Sequence, residues 1–79
     1  MKKLLEFLIS KIIEDSSDIE VSENTSDNKI VTLTIHSPKE KIGQLVGKNG
    51  RIINAIRTIL KISAVKNNAL LNVYIEEKV

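Results

Sequence analysis

Apolar residues near the start of the chain recur at helical spacing. Leu5, Leu8, Ile9, Ile12 and Ile13 stand at i, i+3, i+4, i+7 and i+8, which is one face of a helix over residues 2–14. Leu4 widens that face and Phe7 lies towards its edge. The run Glu14-Asp15-Ser16-Ser17-Asp18 has no period and reads as a loop. Ile19 and Val21 then alternate with Glu20 and Ser22, so a short strand with one buried face follows. Asn24 to Asn28 is polar and turn-prone. Val31, Leu33 and Ile35 alternate with Thr32, Thr34 and His36, a second strand joined to the first as a hairpin.

Ser37-Pro38-Lys39-Glu40 predicts a helix start. Ser37 can cap, Pro38 suits the first helical position, and Glu40 completes a capping box. Ile42, Leu45 and Val46 give this short helix an inner face, and Gly47 stops it. After Gly50 the helical period resumes and runs to about Lys66. Ile52, Ile53, Ile56, Ile59, Leu60 and Ala64 form its stripe, while Arg51, Asn54, Thr58 and Lys61 recur on another side. Asn67-Asn68 is a turn, and Leu71, Val73 and Ile75 alternate with Asn72, Tyr74 and Glu76 as a last strand. The order α-β-β-α-α-β predicts an α+β fold. The hairpin is antiparallel, and a crossover through the helix pair makes the second and third strands parallel if they are neighbours. A three-stranded mixed sheet with three helices on one face follows. Residues 1–79 read as one domain without linker or repeat, its β-α-α-β core at about 30–76.

Composition narrows the chemistry. A chain of 79 residues buries only about 60% of its unfolded surface, enough for one thin core. It has no cysteine and one histidine, which excludes disulfides, thiolate metal sites and cysteine nucleophiles. The acids stand mainly in the first 27 residues, with no pairing that suggests catalysis. The expectation is a non-enzyme without metal or cofactor. His36, predicted outward and without a carboxylate or second ligand nearby, reads as structural. The lack of cysteine fits a reducing cytosol. No apolar run approaches a membrane span, and Lys2-Lys3 leads into an amphipathic segment containing Glu6 instead of a signal-peptide core. A cytoplasmic protein without membrane partners is expected.

The net charge of +2 conceals a local field. Residues 1–37 set four lysines against seven acids, a net −3. Residues 38–67 set Lys39, Lys41, Lys48, Arg51, Arg57, Lys61 and Lys66 against Glu40 alone, a net +6. Residues 68–79 give −1. A chain divided this way directs its central third at an anion, although a solvated basic helix face would carry the same charges.

Within that third lies Leu45-Val46-Gly47-Lys48-Asn49-Gly50-Arg51-Ile52-Ile53. Two glycines bracket two residues between two helices, and glycine permits a close backbone approach. The loop ends at a helix N-terminus, where free N–H groups and the positive dipole end receive phosphate oxygens. Gly43-Gln44-Leu45-Val46-Gly47-Lys48-Asn49 is not a nucleotide P-loop: the glycine spacing is one residue short, no Ser or Thr follows the lysine, and no strand precedes it. The segment instead resembles the KH domain, whose signature is an aliphatic pair, G-x-x-G, two further residues and an isoleucine. Leu45-Val46, Gly47 to Gly50 and Ile53 match it position for position. Gly43 is also usual in KH domains, where it lets the short helix pack closely.

The resemblance covers nearly the whole chain and fits the type II arrangement of bacterial proteins. Length and the run from Gly47 to Thr58 are similar to the KhpA-like family of small stand-alone KH proteins. That resemblance implies a cytoplasmic RNA binder and RNA chaperone. It also implies pairing with itself or with a larger Jag-like KH protein, and links to cell elongation and envelope homeostasis. In the KH mode the loop clamps about four nucleotides. Carried onto this chain, the amides of Gly47, Lys48, Asn49 and Gly50 meet phosphates, and Lys48, Arg51, Arg57 and Lys61 supply charge. Ile42, Val46, Ile53 and the groove side of Val31 to Ile35 form an aliphatic wall. With Phe7 and Tyr74 the only aromatics, base reading by stacking platforms is not expected. Phe7, Ala55 and Ile62 lie off the core stripes and are available to a dimer. Single-stranded DNA stays open as a target. The rival reading is a KH-fold adapter that binds protein, with RNA contact weak or supplied by a partner; the non-acidic Lys48-Asn49 favours nucleic acid.

Overall fold

The structure, a computed structural model, describes residues 1–78. Helix α1 (Lys2–Ile12) is followed by strands β1 (Glu20–Thr25) and β2 (Ile30–Ser37), helix α2 (Lys39–Val46), a 3₁₀ turn (Lys48–Gly50), helix α3 (Arg51–Lys66) and strand β3 (Leu70–Glu77). The sheet order is β1-β2-β3. β1 pairs antiparallel with β2, Glu20 opposite His36 and Thr25 opposite Val31. β2 pairs parallel with β3, Ile30 opposite Leu70 and Ser37 opposite Glu77. The expected α+β fold with a mixed sheet and three helices is thus observed.

One core joins every layer. Val31, Leu33 and Ile35 of β2 point into it and meet Leu5 and Ile9 from α1, Leu45 from α2, and Ile53, Ile56 and Leu60 from α3. Leu5, Leu33, Ile35, Leu45 and Leu60 are fully buried, each stabilising the fold by about 1.5–3 kcal/mol relative to an exposed side chain. The alternate residues Thr32, Thr34 and His36 are half-buried on the other face of the sheet.

Several local expectations are corrected. Helix α1 ends at Ile12, and Ile13 is extended (φ −104°, ψ 123°) while its side chain stays in the core. β1 runs on through Asn24 and Thr25, and the hairpin turn is Ser26 to Lys29, closed by Lys29 N–H on Ser26 O. The capping box does not form. Ser37 remains in β2, held by Lys78 N–H on its carbonyl, and its buried hydroxyl donates to Pro38 O at 3.0 Å. Pro38 is the N-cap, with no side-chain cap. Ile59 leaves the inner stripe and is 43% exposed, because it lies about 100° round the helix from Leu60. A Cβ on Gly43 would meet nothing within 4 Å, so no close packing calls for glycine there. His36 does have a carboxylate beside it: Nδ1 lies 3.6 Å from Glu76 Oε2, and Nε2 lies 3.0 Å from Ser22 Oγ. It ties the three strands together across the outer sheet face.

Candidate nucleic-acid interface

The chain enters the loop from α2 through Gly47, whose φ of +76° and ψ of 174° suit glycine alone. A Cβ here would lie 2.6–2.9 Å from three side-chain atoms of Ile52. Asn49 follows in the left-handed region (φ 57°, ψ 27°), which asparagine tolerates. Gly50, also left-handed (φ 74°, ψ 15°), delivers the chain into α3. The two glycines are therefore not equivalent. Gly47 is fixed by both conformation and contact, Gly50 by conformation alone, since a Cβ on it would come no closer than 3.6 Å to Asn54 Nδ2.

Hydrogen bonding narrows the set of amides that can face an anion. Gly47 N–H donates to Gly43 O at 2.9 Å and Gly50 N–H to Gly47 O at 3.2 Å. Arg51 N–H donates to Lys48 O. Lys48 and Asn49, between the two glycines, are the exposed residues at the tip. Of the four loop amides, those of Gly47 and Gly50 are thus already engaged within the chain.

The positive segment keeps most of its charge. Among the described residues, ion pairs of the central third involve only Lys41, whose Nζ lies 2.7 Å from Asp18 Oδ1 and also donates to Asp15 O. That bond to Asp18, more than the charges of Asp18 and Asp15, raises the Lys41 pKa. The Ser17 hydroxyl and N–H, with Lys41 beyond them, hold the Asp15 carboxyl below its usual value. Lys41 thus fastens α2 to the acidic loop and is withdrawn from the candidate interface. Lys39, Lys48, Arg51, Arg57, Lys61 and Lys66 have no carboxylate partner among the described residues.

An open groove of about 870 Å³ lies between α3 and β3. Asn54, Arg57, Thr58 and Lys61 line its helical side, and Leu70 to Tyr74 its strand side. Arg57 and Lys61 both line it. Ile42 and Val46 are half-buried and do not line it, and Ile53 is absorbed into the core. Val31, Leu33 and Ile35 are closed off beneath the helices, so β2 reaches the groove through Ile30 alone among its described residues. The strand wall is β3 instead, and Tyr74, 53% exposed, lies in it. Asn54, Tyr74 and the edge of β3 were not anticipated as groove residues. Their signal is the parallel β2–β3 pairing, which makes β3 an edge strand beside α3.

A β-α-α-β unit with a glycine-bracketed loop between its helices, preceded by a helix and a strand, defines a KH domain of the type II arrangement. The chain belongs to the KhpA/KhpB KH-domain family, whose model matches residues 2–76. It is 40% identical over 68 residues to the RNA-binding protein KhpA of Clostridium acetobutylicum, covering 86% of this chain and 89% of that one. It is 33% identical over 78 residues to the RNA-binding protein KhpA of Chlamydia caviae, covering 98% and 97%. No solved structure matches significantly.

Proposed function

We propose that this chain binds single-stranded RNA, holding about four nucleotides with the Gly47–Gly50 loop and the groove behind it. The observation that carries this reading is the glycine-bracketed loop that holds Lys48 and Asn49 exposed at its tip, flanked by cations without carboxylate partners among the described residues. Backbone N–H groups and Lys48 and Arg51 take phosphate oxygens, and the bases lie along α3 and β3. The names of the two relatives as RNA-binding proteins support the same class of ligand. Single-stranded DNA is the competing ligand, to be separated by direct comparison of the two oligomers.

A footprint this short gives modest affinity, so useful binding calls for two linked sites. Phe7 and Ile62, both more than half exposed, and the exposed Ala55 support pairing with a second copy or with a larger Jag-like KH protein. An RNA chaperone or post-transcriptional regulator in the cytoplasm, acting on cell elongation and the envelope, is the cellular role in keeping with the family. Among the described residues no helix is long and apolar enough to cross a membrane.

The test is the double change Lys48→Asp with Asn49→Asp, assayed by fluorescence anisotropy on short single-stranded RNA, with circular dichroism to verify folding. The expected loss is about tenfold or more, the scale of one or two charge-assisted hydrogen bonds. Affinity equal to the native protein would overturn the clamp. RNA binding absent from both proteins, with a partner protein still captured, would favour the adapter reading.

A further inference from the structure

In an extended strand the N–H and C=O of one residue point to the same side, and successive residues alternate. Leu70 N–H donates to Lys29 O, on the β2 side of β3. Leu70, Asn72, Tyr74 and Glu76 therefore bond to β2, and Leu71, Val73 and Ile75 turn their backbone groups to the free edge facing α3. Arg57 reaches across from α3, its Nη2 donating to Val73 O at 3.1 Å. Both residues line the groove.

This contact changes what the groove can read. An unoccupied carbonyl on the strand edge is an acceptor for a base amino group. Here a guanidinium sits on it, while Val73 N–H remains a donor on the same edge. Arginine carries five N–H donors and no acceptor, so four remain beside the bond to Val73. Lys61, one turn along the helix, adds three more donors to the same groove. Around Val73 the groove therefore offers donors where the bare strand edge would offer a carbonyl acceptor.

We infer that Arg57 is a base-selecting residue. It favours a base that presents carbonyl acceptors, uracil through O4 or guanine through O6 and N7, over adenine, whose N6 amino group leads with hydrogens. The inference rests on the RNA-binding reading above. It assigns Arg57 a contact to a base edge, where charge alone assigns it one to phosphate.

The experiment compares labelled eight-nucleotide oligouridine and oligoadenosine by anisotropy at fixed salt, with native protein, Arg57→Lys and Arg57→Ala. The native protein should bind oligouridine about fivefold more tightly or better, the lower end of what one good base contact discriminates. Lysine keeps the charge but has no planar fork, so Arg57→Lys should still bind while the ratio falls towards one. Arg57→Ala frees the Val73 carbonyl and should move the ratio further towards oligoadenosine. Comparing ratios between variants cancels the different stacking of the two free oligomers, and circular dichroism verifies folding. A native ratio of one or less, or variants that weaken both oligomers by the same factor, would overturn the assignment. Native protein that binds neither oligomer would overturn the RNA reading beneath it as well.

Discussion

Replacing Gly47 by alanine should be far more damaging than the same change at Gly50, although both belong to one four-residue loop. At Gly47 the backbone lies at φ 76°, ψ 174°, a region essentially restricted to glycine where a side chain costs about 1–3 kcal/mol. The added Cβ would also sit 2.6 Å from Ile52 Cγ1 and 2.9 Å from Ile52 Cβ and Cδ1. Ile52 is packed against the core, so α3 or its side chain must shift, and overpacking of this kind costs about 1–3 kcal/mol more. The total, about 2–6 kcal/mol, is a large share of the roughly 4–12 kcal/mol expected for a chain of this length. At Gly50 only the left-handed conformation is strained, which costs about 1–2 kcal/mol. Thermal and urea denaturation followed by circular dichroism would measure both. At roughly 4–8 °C per kcal/mol, Gly47→Ala should melt about 10 °C or more below the native protein. Combining it with Ile52→Ala removes the contacts to Cγ1 and Cδ1 but leaves the one to Cβ and the strain. The double variant should therefore be less destabilised than the sum of the single changes by about 1 kcal/mol or more, a coupling normal for touching residues. Equal stability of Gly47→Ala and Gly50→Ala, or strict additivity with Ile52→Ala, would refute the reasoning.

Gly43→Ala should act the other way. With nothing within 4 Å of its Cβ position, alanine gains about 0.5–1 kcal/mol of helix stability, seen as a rise in Tm; an unchanged or lower Tm would contradict the open space. Asp15 has its pKa depressed chiefly by the Ser17 hydroxyl, so its contribution is present above the ordinary aspartate value near about pH 4 and is lost as pH falls through the lower folded value. The Tm deficit of Asp15→Asn should accordingly be visible near neutrality and vanish in acid. Lys41 has its pKa raised chiefly by Asp18, so its contribution is full below about pH 10.4 and lost as pH climbs through the higher folded value. The deficit of Lys41→Met should persist at neutral pH and shrink in strong alkali, and a deficit unaltered there would deny the Asp18 bond.

The fold was legible where one periodicity ran unopposed. Val31, Leu33 and Ile35 alternate cleanly and are buried, and Ile53, Ile56, Leu60 and Ala64 mark the inner line of α3. The reading overreached where neighbours in sequence were assigned to one face, since a stripe wide enough for Leu60 does not reach Ile59. Ser37 carries the local signature of a cap, but its parallel pairing with Glu77 of β3 keeps it in the strand. No local pattern reports that pairing. The same holds for the interface. Gly47 and Gly50 announce the loop, while the groove depends on which strand lies beside α3. An aliphatic β2 looks like a wall until the helices close over it. The internal bonds of the Gly47 and Gly50 amides, and the reach of Arg57 to Val73, exist only in three dimensions.

The most direct test of the central claim, that this loop and its cations grip a phosphate backbone, is the salt dependence of binding to a short single-stranded RNA. Engagement of three or four phosphates should make log K fall with log salt at a slope of about −2 to −3. That slope should flatten when Lys48 and Asn49 are replaced by aspartate. A slope near zero in the native protein, or one unaltered by that double change, would contradict the account.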